Sequence, residues 1–130
     1  MQKIAFTGHR PTKLGGYDER NSTTRWVKKQ LKNVVGHARD HGFNMFITGG
    51  ALGVDTWAAE EVLGRKRNGE PILLTVAVPC VKQECRWPPM SQDRYHLILE
   101  EADVVERISD KMYSEDPGCM DRRNEWMVDH

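Results

Sequence analysis

Apolar and polar positions alternate along the chain with two periods, one typical of buried strands and one typical of amphipathic helices. The pattern predicts strands at 3–7, 45–48, 72–78 and 103–109, and helices at 22–41, 54–67, 91–102 and 120–130. Strand and helix therefore alternate. This order predicts an α/β fold, a Rossmann-like open parallel sheet of about four strands joined by right-handed helical crossovers.

The first predicted helix has a clear apolar face. Val27, Leu31, Val34 and Ala38 follow one another at spacings of four, three and four, so we expect all four side chains to face the core. The polar residues at 21–22 provide the side chain that would cap this helix.

The segment 80–90 predicts a structured loop rather than a helix. It contains the pair Pro88 and Pro89, and proline lacks the backbone N–H that a helix interior uses. The third helix is therefore expected to begin near Ser91.

Length and charge restrict the class of protein. A chain of 130 residues predicts one domain over 1–130 with one core. Nineteen basic residues balance nineteen acidic ones, which makes nucleic acid an unlikely partner. We expect no membrane association and a cytoplasmic protein, because no apolar run reaches the length of a membrane helix and the start has no signal-peptide pattern.

Three cysteines, Cys80, Cys85 and Cys119, predict reduced thiols and no disulfide framework. No spacing of cysteine or histidine is typical of a metal site, so the sequence predicts neither a metal nor a cofactor. No serine or cysteine nucleophile with a partnered base is recognisable either.

The richest candidate site is the glycine loop that follows the second strand. Gly49, Gly50 and Gly53 would let the backbone approach a ligand, while the next helix directs its first N–H groups and dipole toward the same space. This arrangement favours a phosphate. Asp55, in the first helical turn, would either cap that helix or accept hydrogen bonds from ribose hydroxyls.

Gly8, His9 and Arg10 follow the first strand, at the sheet edge where an open α/β sheet binds ligands. A guanidinium binds phosphate through two parallel hydrogen bonds, so Arg10 is the best phosphate contact in the chain. The alternative roles are a salt bridge for Arg10 and a packing hydrogen bond for His9.

Further candidates lie in later segments. Gln83 and Trp87 follow the third strand, where Trp87 would stack on a base or anchor its loop to the core. Arg123 and Asn124, near the start of the last helix, would contact phosphate or lie at the surface. The position of Glu60 predicts a solvent-exposed helix residue. It would be a catalytic carboxylate only if the protein is a hydrolase.

Several motifs together resemble the SLOG superfamily, which includes the DNA-processing protein A of natural transformation and the LOG phosphoribohydrolases. The likeness is greatest to small bacterial and phage SLOG proteins of unknown function. The matching stretches are Thr7-Gly-His-Arg-Pro11, Thr48-Gly-Gly-Ala-Leu-Gly-Val-Asp-Thr-Trp-Ala-Ala-Glu60, Pro79, Gln83, Trp87, Tyr95, Ala102-Asp103 and Arg123-Asn-Glu-Trp-Met-Val-Asp129.

The resemblance implies a Rossmann-like fold that binds a nucleotide or a nucleotide-derived small molecule such as ADP-ribose, often as a homo-oligomer. An alternative is a nucleotide N-glycosidase with Asp55 or Glu60 as the catalytic carboxylate. The phosphoribohydrolases, however, carry a Pro-Gly-Gly-x-Gly-Thr-x-x-Glu motif that the loop here does not reproduce. A second alternative is a DNA-associated adaptor that uses the basic residues of the first helix.

Relatives of this kind continue past the Arg-Asn-Glu helix into another strand and a Gly-Gly-Thr turn, whereas this sequence ends at His130. We therefore expect the last strand of the family to be lacking and the fourth strand to be an exposed edge. An exposed edge favours pairing with another subunit.

Overall fold

Four parallel strands form one open sheet, and a helix follows each strand. The computed structural model describes residues 2–6, 8, 15–16 and 18–129. Its elements are β1 (Gln2–Phe6), α1 (Ser22–Asp40), β2 (Phe43–Thr48), α2 (Val54–Arg67), β3 (Leu73–Val78), α3 (Pro89–Glu101), β4 (Val104–Arg107) and α4 (Cys119–Asp129). The strands lie in the order β1-β2-β3-β4, and each neighbouring pair is parallel. This architecture confirms the predicted α/β Rossmann-like class.

The helices α1, α2 and α3 cover one face of the sheet. The strands follow chain order, so right-handed crossovers place these three helices on the same side. Val35 of α1, Trp57 of α2 and Ile98 of α3 belong to one buried cluster with Phe46 and Leu74 of the central strands. This cluster is the main hydrophobic core.

Helix α4 packs on the opposite face. Met127 of α4 is buried with Met45, Ile47 and Ala77, which project from β2 and β3 away from the main core. The two central strands are thus covered on both sides. Double coverage explains why β3 reads as a nearly continuous apolar run.

Helix α1 begins where its cap predicts, but its buried face differs by one residue. Asn21 is the N-cap, and its Oδ1 accepts a hydrogen bond from the backbone N–H of Thr24 at 2.8 Å. The prediction that Val34 faces the core is wrong, since this residue is 44% exposed. Val35 is buried instead, because four residues after Leu31 the helix has completed about one turn.

Helix α3 begins at Pro89, earlier than predicted. Pro88 is the N-cap, and its carbonyl accepts the backbone N–H of Gln92 at 3.0 Å. The prediction that the loop includes both prolines is therefore wrong for Pro89, which is the first residue of α3. A proline at the first position of a helix removes an N–H that has no partner there in any case.

The strands β1 and β4 are the two edges of the described sheet. On β4, Val104 is 44% exposed. The sequence predicts that β4 is an exposed edge and that another subunit pairs with it. The structure places β4 at an edge of the described sheet, and pairing with another subunit stays a prediction. Within the described ranges, no helix has the length and apolarity needed to cross a membrane.

Candidate functional site

Loops rich in glycine and in charged residues meet at the carboxyl edge of the sheet. Because all four strands are parallel, the segments that follow them come together at this edge. It is the expected place for a ligand in an open α/β sheet.

The space beside Gly49 contains a buried arginine. Arg123 of α4 is only 7% exposed, and its Nη1 donates a hydrogen bond to the carbonyl oxygen of Gly49 at 2.7 Å. A Cβ atom at position 49 would lie 2.6 Å from Cζ of Arg123 and 2.8 Å from Oδ2 of Asp55. Gly49 therefore provides room for a guanidinium and a carboxylate of the protein itself.

Gly50 approaches a second set of side chains. A Cβ atom there would lie 3.1 Å from a ring carbon of Tyr95 and 3.3 Å from Nε2 of Gln83, and its φ of 72° favours glycine. The Nε2 of Gln83 donates to the hydroxyl of Tyr95 at 3.1 Å. The first two glycines of the loop are thus close-packed, and their predicted contact with a ligand stays a prediction.

Gly53 has a different environment. It is the N-cap of α2, with a φ of 87°, and it has no side chain with which to cap the first turn. It lines a cavity of about 330 Å³, the α2 cavity, together with Asp18, Glu19, Leu52, Thr56, Trp57, Pro88, Met90, Ser91 and Arg94. The start of α2 therefore borders a cavity of the size that binds small ligands.

Arg94 holds one wall of the α2 cavity in place. Its guanidinium donates two hydrogen bonds to Glu60, with Nε at 3.0 Å from Oε2 and Nη2 at 2.5 Å from Oε1. Its Nη1 also bonds Glu19, which in turn accepts from Nζ of Lys28 at 2.5 Å. This ion-pair network of Lys28, Glu19, Arg94 and Glu60 joins the loop before α1 to all three helices of that layer.

The network determines the ionisation of Glu19. Partial burial opposes ionisation, but the hydrogen bonds from Arg94 and Lys28 outweigh burial and lower the pKa of Glu19 from 4.5 to about 2. Glu19 is therefore a carboxylate at every physiological pH. It can accept hydrogen bonds from a ligand in the α2 cavity.

The remaining predicted site residues lie in several places. Gly8 packs tightly on α2, since a Cβ there would lie 2.7 Å from Cβ of Val54. His9 and Arg10 lie outside the described residues, so their contacts stay predictions. Asn124 is exposed, and its Oδ1 accepts a hydrogen bond from Nε of Arg123 at 2.8 Å.

Trp87 anchors its loop. It is 9% exposed, lies in a cluster with Leu52, and meets the ring of Tyr95 edge-on at a centroid distance of 5.2 Å. Its carbonyl accepts a hydrogen bond from the side chain of Gln92 at 2.9 Å. This packing is that of a residue that anchors its loop to the core, one of the two roles predicted for Trp87. The other role, stacking on a base, stays a prediction.

The cysteines carry free thiols, and two of them, Cys80 and Cys119, are buried. Burial, with Cys119 alongside, raises the pKa of the Cys80 thiol to about 12. Because the thiolate is the nucleophile, Cys80 is not activated at neutral pH. Among the described residues, no group of three or more histidine, cysteine, aspartate or glutamate side chains could hold a metal ion.

Sequence reasoning missed Arg94 and Glu19. The two residues are 75 positions apart, and the partners of a charged side chain at that separation depend on how α1, α2 and α3 pack. The local sequence gives little sign of this role: Arg94 is the neighbour of the buried Tyr95 in α3.

Comparisons with known proteins identify similar chains. The model of the YspA SLOG family matches residues 4–130. A UPF0398 protein of Halalkalibacterium halodurans is 34% identical over 98% of this chain and 67% of its own length, and one of Shouchella clausii is 33% identical over 98% and 68%. The UPF0398 protein YpsA of Bacillus subtilis is 27% identical over 99% and 71%. The names of these relatives state no activity.

We expect Gly49→Ala to lower the free energy of unfolding by at least about 2 kcal/mol, because the new methyl group must displace Arg123 from the Gly49 carbonyl. Gly49 has no positive φ, so backbone strain does not contribute. Gly64→Ala is the matched control. It lies inside α2 with no atom near the added methyl group, and should stabilise by roughly 0.5–1 kcal/mol. Urea denaturation measures both variants, and equal stabilities would contradict the close packing at Gly49.

Glu19→Gln should lower stability most at neutral pH. The folded pKa of Glu19 lies below its unfolded value, so its contribution is present above about pH 4.5 and is lost as pH falls toward 2. We expect a loss of roughly 1–2 kcal/mol at pH 7, reduced by solvent screening, that shrinks below pH 4.5. Glu100→Gln, an exposed carboxylate on the same helix as Arg94, should change stability by less than about 0.5 kcal/mol. A Glu19→Gln loss that is the same at pH 7 and pH 3 would refute the network's role.

Proposed function

Because this chain belongs to the YspA SLOG family, we propose that it binds a nucleotide or a nucleotide-derived small molecule, such as ADP-ribose, in the α2 cavity. One observation carries the proposal. The first turn of a 14-residue helix, begun by a glycine without a side-chain cap, borders a cavity that also holds carboxylates. The combination matches the two polar parts of a nucleotide, its phosphate and its ribose.

The phosphate is assigned to the start of α2. The first backbone N–H groups of a helix have no partner within that helix, and the helix dipole adds roughly half a positive charge at the same end. Gly53, which has no side chain, lines the cavity at this end, and Thr56, in the first turn of α2, lines it too. Arg10, expected from the sequence to reach a phosphate, would add to this contact.

The ribose is assigned to the two carboxylates of the cavity. Asp18 and Glu19 line the α2 cavity, and carboxylates accept the hydrogen bonds that ribose hydroxyls donate. The low pKa of Glu19 keeps this acceptor ionised. The apolar surface of Trp57, Pro88 and Met90 is suited to the flat base.

Binding without hydrolysis is the function that the geometry supports best. Asp55 is 3% exposed and lies next to Arg123 beside Gly49, while Glu60 accepts two hydrogen bonds from Arg94. Both carboxylates are thus placed beside arginines, as expected for residues that hold the loop and the helices together. No observation favours the N-glycosidase or the DNA adaptor in their place.

Thermal unfolding with a panel of AMP, ADP and ADP-ribose tests the proposal. At a concentration 100 times its dissociation constant, a bound ligand stabilises the folded state by about 2.7 kcal/mol, which raises the melting temperature. Ser91→Trp, which fills the α2 cavity, should abolish the increase. Asp93→Trp, an exposed position on the same helix outside the cavity lining, should retain it. If no compound raises the melting temperature, or if Ser91→Trp leaves the increase unchanged, the proposal is wrong.

A further inference from the structure

A second cavity of about 540 Å³, the β3 cavity, opens beyond the carboxyl ends of β3 and β4. It is formed by the 80–87 loop, by residues 112–114 and by the start of α4. We propose that the β3 cavity is a binding site for a small planar organic anion, with a phosphate or carboxylate group and an aromatic ring. This inference does not depend on the nucleotide proposal, which concerns the α2 cavity.

The charge of the cavity wall identifies the ligand as an anion. Lys82 and Arg86 line the β3 cavity, both are exposed, and neither side chain forms a salt bridge or hydrogen bond with any residue that the structure describes. No aspartate or glutamate is among the described lining residues. Two cations beside one cavity, without acidic partners, attract a negatively charged ligand.

Of the acidic residues beside the lining segments along the chain, Glu115 and Asp121 are exposed to solvent, and Glu84 and Asp116 have other partners. Glu84 bonds His96, with Oε2 at 2.7 Å from Nε2. Asp116 bonds Arg122 and accepts from the hydroxyl of Ser109 at 2.7 Å. Their carboxylates are therefore already engaged away from Lys82 and Arg86.

Hydrogen bonds hold the 80–87 loop in its conformation. Lys82 has a φ of 56°, the one positive φ among the described non-glycine residues, and its carbonyl accepts the N–H of Cys85 at 3.0 Å. The N–H of Val81 donates to the carbonyl of Lys111 at 2.9 Å. Backbone strain at a position fixed by its surroundings is common at binding sites. Because the loop is ordered before binding, less entropy is lost when a ligand binds.

The walls of the cavity are suited to a flat apolar ring. Trp87 and Tyr113 contribute aromatic surface, and 55% of Tyr113 is exposed. Met112 and Met120 contribute flexible thioether side chains that adapt to a ligand's shape. The apolar body of the ligand would lie between these walls while its charged group meets Lys82 and Arg86.

Gln83 is a polar residue of the cavity wall. It lines the β3 cavity, and its Oε1 is buried with no hydrogen-bond partner among the described residues. The Nε2 group donates to the Tyr95 hydroxyl at 3.1 Å, which holds the amide at the cavity wall, so its NMR signal should report on a ligand bound there.

NMR titration of the ¹⁵N-labelled full chain tests the site, with phenyl phosphate and benzoate as the anionic probes. We expect saturable shifts of the Trp87 indole and Gln83 side-chain amide signals with at least one of them, and at least tenfold weaker binding of benzyl alcohol and inorganic phosphate. Equal binding of benzyl alcohol would show an apolar pocket without anion selectivity. Equal binding of inorganic phosphate would show that no ring is recognised. Either result would overturn the proposal, as would the absence of saturable shifts.

Variants assign the binding to the cavity. The double variant Lys82→Gln and Arg86→Gln should weaken the anionic probe at least tenfold. Lys29→Gln with Lys32→Gln removes the same charge from the exposed surface of α1 and should leave the affinity unchanged. Ser91→Trp should also leave it unchanged, which separates this site from the α2 cavity. Loss of affinity in the α1 double variant, or its retention in the Lys82 and Arg86 variant, would refute the assignment.

Discussion

The contact between Arg123 and the carbonyl of Gly49 is the constraint on which the carboxyl edge of this sheet depends. A buried guanidinium is unfavourable unless polar groups replace its water, and here the Gly49 carbonyl accepts its hydrogen bond while the Asp55 carboxylate lies beside it. Residues four apart on α4 share one buried face, so the same helix places Cys119, Arg123 and Met127 against the sheet. The contact thus joins α4, which covers one face, to the loop that begins α2 on the other.

This contact gives the glycine loop a structural as well as a functional role. Gly49 and Gly50 leave room for side chains of the protein, whereas Gly53 opens toward the α2 cavity. Leu52 lines both cavities and lies in one buried cluster with Trp87. The α2 cavity offers a helix start and carboxylates, and the β3 cavity offers two cations and aromatic surface. The edge therefore presents two compartments with different chemistry.

Much of the fold follows from local patterns in the sequence. The sequence predicts the helix Val54–Arg67 at both ends, because a glycine precedes it and an Asn-Gly pair follows it. Two predictions are wrong for local reasons: Val34 fits the helical spacing but is exposed beside the buried Val35, and Pro89 begins a helix whose first position accepts proline. The order of strands in the sheet has no such local signal.

The candidate site was only partly predictable. Glycine positions and polar loop residues can be recognised along the chain, but the direction in which a long side chain points depends on distant packing. The sequence predicts Arg123 as a candidate phosphate contact, whereas the structure shows it bonded to a backbone carbonyl 74 residues away. The Arg94 network and the cations of the β3 cavity likewise arise only when loops distant in sequence come together.

The most direct test of the Arg123 contact is the free energy of unfolding of Arg123→Met, compared with Arg122→Met at the neighbouring position. Methionine keeps an unbranched side chain but removes the donors, so the Gly49 carbonyl loses its partner and Asp55 loses a neighbouring cation. We predict a loss of about 2–4 kcal/mol for Arg123→Met. Arg122 is half-exposed and bonds Asp116 at the surface, so its variant should lose less than about 1 kcal/mol. Equal, small losses in the two variants would contradict the account.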